Sequence, residues 1–207
     1  MDNSPFDTIA LTSDIIDWYN DTYTALKAKF GIQLTYNINF QLEQFEVFRG
    51  YVSINIRGSF VIKQDNNNDC YILFVETVSR VAGRQGIAEI PKYQVWALAY
   101  LKNDFGRVLI RRETLADKII ELVHPVELDF DEDKPFSDTF YVLVNDREKA
   151  TRAIDRNFRN AVMDVRMDNF MIEVVEHSLI IGDYDPVSPE KTIHMAEFIT
   201  RICSHCW

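Results

Sequence analysis

Phe136-Ser-Asp-Thr-Phe-Tyr-Val-Leu-Val144, the Asn145-Asp146 pair, the run Arg147 to Val165, and Phe170-Met-Ile-Glu-Val-Val-Glu-His-Ser-Leu-Ile-Ile181 together decide the fold. The first segment is rich in aromatic and β-branched residues and reads as a strand. The second is helical, because Ala150, Ile154, Phe158, Ala161, Val162 and Val165 recur every three or four residues as one apolar stripe. Asn145 stands where a side chain can accept a first-turn amide, and Glu148 follows three residues later. The last segment returns as one long strand or a tight hairpin. A strand, a helix and a strand pair in succession define an α+β unit.

The polar face of that helix carries Glu148, Arg152, Asp155, Arg156 and Arg159. Glu148 to Arg152 and Asp155 to Arg159 are spaced four apart with the acid first, the favourable order. With Arg147, the arginines could form an anion-binding strip. The interleaved acids make a solvated helix face the better reading.

Upstream, Met1 to Thr12 reads as an N-terminal arm and Ser13 to Phe30 as a helix, with Ser13 as N-cap and Gly31 as its stop. Ile15, Ile16, Tyr19, Tyr23, Leu26 and Phe30 make its apolar face, with Trp18 and Thr22 at the margin. Gln33 to Phe40 alternates as a strand would, and Phe45 to Phe48 continues it after a break. Tyr51 to Lys63 is a strand that shifts phase at Gly58, the mark of a bulge, and Cys70 to Val78 returns after the turn Asp65-Asn-Asn-Asn-Asp69. Ala82 to Lys92 reads as a long loop. Tyr93 to Leu101 and Arg107 to Arg112 read as a strand pair turned at Lys102 to Gly106, with a helix over Tyr93 to Tyr100 as the alternative. Thr114 to Leu122 has a helical composition, Glu127 to Lys134 is an acidic connector, and Ser188-Pro189 opens a last helix with Ile193, Ala196, Ile199, Ile202 and Cys203 on its buried stripe. The expected fold is a mostly antiparallel curved sheet with an N-terminal helix, the central strand-helix-strand unit and a C-terminal helix.

With 207 residues and 47% hydrophobic content the chain can bury a core as a single domain, 1–207. A soft division near 81–91, between an N-terminal helix-plus-strands part and a C-terminal α+β part, is the alternative. Lys and Arg total 22 against 32 Asp and Glu, a net charge of −10, which repels nucleic acid phosphates and anionic membranes. No apolar run is long enough for a transmembrane helix. Met1-Asp-Asn-Ser-Pro-Phe-Asp7 lacks the basic start and apolar run of a secretory signal, and three cysteines, an odd number, argue for a reducing compartment. The expected location is the cytoplasm.

Phe105-Gly106 before Arg107-Val-Leu-Ile110, Phe136, Phe140 and Val142, Asn145-Asp146 with Ala150 and Phe158, and Ser178-Leu-Ile-Ile181 resemble the pattern of a family of uncharacterised bacterial domains. The resemblance covers roughly residues 101–183 and rests on core and capping positions. It implies an α+β fold and a bacterial origin. Members often carry membrane segments ahead of the domain, which this sequence lacks. The family has no assigned activity, so the resemblance implies no catalytic residue.

Candidate chemistry is sparse. Cys203-Ser-His-Cys206 has the spacing of a redox or metal pair, but it follows a helix rather than opening one, where the dipole raises a thiol pKa. Cys203, His205 and Cys206 would need a fourth ligand, and Cys70 could join only through a long-range contact. A buried helical Cys203 with a frayed tail is the plainer reading, and no metal or other cofactor is expected. Asp129-Phe-Asp-Glu-Asp133 opens like a calcium loop, yet Lys134 and Phe140 stand where glycine and a carboxylate are required. Gly83-Arg-Gln-Gly86 has the bare GxxG of an RNA-clamping loop without its helices. Arg80, Arg84 and Lys92 make this the most basic place in the N-terminal half and a candidate anion site, with Asp183 and Asp185 as candidate acids on a second loop.

The favoured expectation is a non-enzymatic, chaperone-like interaction module, acidic and aromatic, that holds a protein partner or self-associates. Small acidic secretion chaperones share that character as a class. The competing expectation is an enzyme or small-ligand binder with a site between the 82–92 and 183–186 loops. No catalytic residue is assigned.

Overall fold

The computed structural model describes residues 4–65, 68–83, 86–112 and 125–204. Among these residues nine antiparallel strands form one sheet: β1 (Gln33–Leu34), β2 (Ser53–Ile62), β3 (Cys70–Gly83), β4 (Gly86–Tyr100), β5 (Arg107–Arg112), β6 (Val126–Glu127), β7 (Phe140–Val144), β8 (Met171–Val175) and β9 (Ser178–Gly182). Their order across the sheet is β1-β2-β3-β4-β9-β8-β5-β7-β6. The helices are α1 (Ser13–Phe30), α2 (Lys134–Ser137), α3 (Arg147–Ala153), α4 (Arg156–Asp164) and α5 (Pro189–Ser204). The chain is α+β with a helix near each end, as its patterning implies. Among the described residues no helix is long and apolar enough to cross a membrane.

Alternation along the strands sorts the sheet into two apolar faces. One face, including Phe60, Ile72, Phe74, Ala97, Val108, Ile172 and Ile181, packs against α1, α3, α4 and α5. The other, including Leu73, Val75, Trp96, Leu98, Leu109 and Ile180, lies beneath Phe40, Leu42, Phe45, Val47 and Phe48. That second cover is a strap of two 3-10 turns, Leu42–Gln44 and Glu46–Phe48, rather than the strand expected there, and β1 is correspondingly short. Gln41 adopts a left-handed φ of 50°, which turns the chain out of an extended path. Burial on this crossing segment begins at Phe40, and the alternating Tyr36 and Ile38 before it are exposed.

Helix α1 follows its expected span and ends at Gly31, whose φ of 62° and bond to the Lys27 carbonyl close it. Thr12, not Ser13, occupies the N-cap position, and Thr22 is fully buried rather than marginal. The bulge falls between Ile56 and Gly58. There the Phe6 ring packs so closely on Gly58 that a Cβ would collide with it.

The central unit departs from expectation in three places. Residues 134–137 form the one-turn helix α2, with Pro135 in its first turn, so β7 begins only at Phe140. The expected single helix is two, because the Asp155 side chain accepts the Phe158 amide at 2.8 Å and caps a new start. Asp146 rather than Asn145 caps α3, accepting from Lys149 at 3.0 Å, while Asn145 Oδ1 accepts the Arg107 amide at 2.7 Å. The return is a hairpin, β8 to β9, turned at Glu176-His177.

β4 and β5 do not pair with each other. β4 pairs with β3 and β9, whereas β5 lies between β8 and β7. The β8–β9 hairpin thus inserts between two strands that are neighbours in sequence. On α5 the buried set is Thr192, Met195, Ala196, Phe198, Ile199, Ile202 and Cys203, with Ile193 only half-buried. The segment Thr114 to Leu122 lies outside the described residues.

Candidate functional site

Ala82 to Lys92 is not a loop. β3 and β4 stay in register to Gly83 opposite Gly86, so both run past their neighbours as a two-stranded ribbon. β2 leaves β3 at Val78, and β9 begins against β4 only at Trp96. Beyond those points the outer edges of the ribbon pair with no other described strand. Residues 80–83 and 86–92 are all exposed, and Val81, Ile87 and Ile90 are 48%, 73% and 42% accessible. Apolar side chains at the tip of a free-edged ribbon are a recognised form of contact surface.

Of the basic residues singled out there, Arg80 bonds Glu89 across the ribbon at 3.0 Å. Lys92 stands opposite Thr77 and, by alternation, on the other face. Arg84 lies outside the described residues. Asp183 and Asp185 are brought together elsewhere, around the Lys191 ammonium at 2.8 and 2.6 Å. Burial raises the Asp183 carboxyl, an effect opposed by its bond to Lys191. Gly182 pairs with Trp96, four residues or about 13 Å along β4 from Lys92. The structure brings the acids together and does not bring the basic residues to them.

Two polar residues that the sequence reading missed are buried at the centre of apolar strands. Glu173 on β8 is fully buried beneath the strap, accepting the Glu46 and Val47 amides at 2.9 and 3.0 Å. Burial pushes its carboxyl up to about 7, against the pull of those amides and of Arg107 Nη1 at 3.9 Å. Glu76 on β3 receives Arg57 at 2.8 Å and Asn55 at 3.0 Å, and Arg57 also holds Asp7 at 2.8 Å. A lone acid inside Met171-Ile-Glu-Val-Val175 or Phe74-Val-Glu-Thr77 was the available signal. Both act as anchors, one for the strap and one for the N-terminal segment.

Arg159 also differs from expectation. It turns inward, nearly buried, donating to Asp133 Oδ2 at 2.8 Å and the Ile154 carbonyl at 3.1 Å over the Phe130 ring. This removes it from the supposed arginine strip and ties the acidic connector to α4. The Glu148–Arg152 pair forms as spaced, at 3.5 Å on an exposed face.

The described residues include two shallow clefts. One, of about 340 Å³, is lined by Asn103, Asp104, Lys149, Arg152 and Ala153. The other, of about 370 Å³, lies between the N-terminal segment and β1–β2 and includes Thr35, Tyr36, Arg57 and Ser59. Lys149 is already held by Asp104 at 2.6 Å, and Arg57 by Asp7 and Glu76. Among the described residues no three metal-capable side chains cluster. His205 and Cys206 lie outside them. His194 pairs with Asp168 at 3.1 Å, and Cys203 meets Cys70.

The fold is that of a one-sheet α+β protein with helices on one face and a strap on the other. The crystal structure of the mycobacterial trehalose monomycolate transport factor A, TtfA, is similar to it, with a TM-score of 0.57 over 89% of this chain and 91% of that one. At 11% identity the likeness is one of fold. No protein-family model matches the chain, and no curated protein does.

Proposed function

We propose that this chain is a non-enzymatic, chaperone-like interaction module that docks a protein partner on the β3–β4 ribbon. The observation that carries the reading is the ribbon itself: Val81, Ile87 and Ile90 exposed on strands whose outer edges are open. An extended segment can add to such an edge through backbone hydrogen bonds, with side chains at alternate positions giving selectivity.

Charge narrows the partner. In sequence, residues 79–92 hold Arg80, Arg84 and Lys92 against Glu89 alone, in a chain of net charge −10. It therefore suits an acidic segment with interspersed apolar residues, while two ribbons face to face would repel. A second copy could be engaged only through its acidic body. TtfA is named a transport factor, which agrees with a role other than catalysis. The enzyme or ligand-binding alternative has less support, because Asp183 and Asp185 are taken up by Lys191 and lie away from Lys92.

The test is capture from the native host with the tagged chain and with an Ile87→Glu variant, alongside light scattering of each. A stoichiometric acidic partner held by the first and lost by the second supports the proposal. Equal capture by both, or a monomer that captures nothing, contradicts it.

A further inference from the structure

Cys70 opens β3 and Cys203 lies near the end of α5, 133 residues later. Both are free and buried, and their sulfur atoms are 2.7 Å apart. Cys70 Sγ also lies 3.5 Å from the Ile199 carbonyl, one helical turn before Cys203. The two sulfur atoms thus meet where α5 lies on the start of β3, and a disulfide would need them to close by roughly 0.7 Å. Three cysteines read as a count suggest no framework. The fold selects one pair of them.

We propose that Cys70 and Cys203 form an intrachain disulfide on exposure to a small peroxide, locking α5 onto the start of β3. The order of the steps follows from the site. Cys70 is fully buried and its contact with Cys203 raises its thiol pKa, whereas Cys203 keeps 5% exposure, so the peroxide meets the Cys203 sulfur first. Cys203 is one residue from the end of α5 and is the more open of the two sulfurs to a molecule as small as hydrogen peroxide. Its thiolate attacks one peroxide oxygen, the O–O bond breaks, and hydroxide leaves to give the sulfenic acid. Cys70 sulfur then attacks the Cys203 sulfur, forming the S–S bond and expelling the second oxygen, with the two thiol protons completing two waters. Two thiols and one peroxide become one disulfide and two waters.

The experiment treats the full chain with hydrogen peroxide, blocks remaining thiols with an alkylating agent in denaturant, and digests without reductant. The expected product is a peptide joining Cys70 to Cys203, a chain lighter by two hydrogens, and a melting temperature higher by about 5–10 °C that dithiothreitol reverses. A Cys206→Ser variant should give the same bond and the same rise. Bonding of either residue to Cys206, a chain-to-chain cross-link, sulfinic acid at Cys203 or two thiols still open to alkylation would each overturn the proposal.

Discussion

The Glu173 carboxylate accepts the backbone amide of Val47 at 3.0 Å, joining the centre of the sheet to a strap that precedes it by 126 residues. Burial raises this carboxyl from its ordinary 4.5 to about 7. Its folded pKa thus exceeds its unfolded one, so its contribution to stability is fully present below about 4.5 and is lost as pH rises to about 7. A Glu173→Gln variant should lack that dependence. Denaturant unfolding at pH 5 and at pH 8 should show the wild-type advantage shrinking by up to about 3 kcal/mol relative to the variant. Parallel curves for the two proteins would show that the carboxyl does not titrate in this window.

Arg159 predicts a loss that does not depend on pH near neutrality. Replacing it with alanine strands Asp133 and the Ile154 carbonyl and removes the cation over Phe130. The expected cost is about 3 kcal/mol, measured by urea unfolding. Arg152→Ala, on the exposed face of α3, should change stability by under about 0.5 kcal/mol.

Gly182 is a steric requirement of the sheet. A Cβ there would lie 2.5 Å from Trp96 Cδ2, and the indole is fully buried against Phe48 and near Tyr184. Gly182→Ala should therefore destabilise by about 1–3 kcal/mol and change the tryptophan emission as the ring moves. An unchanged spectrum and melting temperature would mean that the ring yields freely.

The ribbon behaves in the opposite way. Ile87 is exposed and supports no core residue, so Ile87→Glu should leave stability within about 0.5 kcal/mol of wild type. Loss of a partner without loss of fold is the signature of a docking residue, and thermal melts beside the capture experiment distinguish the two.

Local signals were legible where local chemistry decides the structure. Gly31 as a helix stop and the Pro189 start of α5 are each fixed by neighbours within a few residues. Asp155 is ambiguous in sequence because the same residue can pair four positions ahead or cap three, and only the turn of Arg159 into the core decides between them. The glycines and charges of the ribbon have the composition of a loop, while the register that extends it is set by β3 upstream. Glu173, Glu76 and the Cys70–Cys203 contact depend on partners 19 to 133 residues distant. Pairings at that range follow from strand order, which no local pattern encodes.

The most direct test of the docking surface is site-specific photo-cross-linking in the native host, with a photo-reactive phenylalanine analogue replacing Ile87 in one strain and the equally exposed Tyr36 in another. Position 87 should give one discrete cross-linked protein on illumination, with its attachment site mapping to an acidic, apolar segment, and position 36 should not give it. The same product from both positions, or none from position 87, would contradict the ribbon as the place where a partner binds.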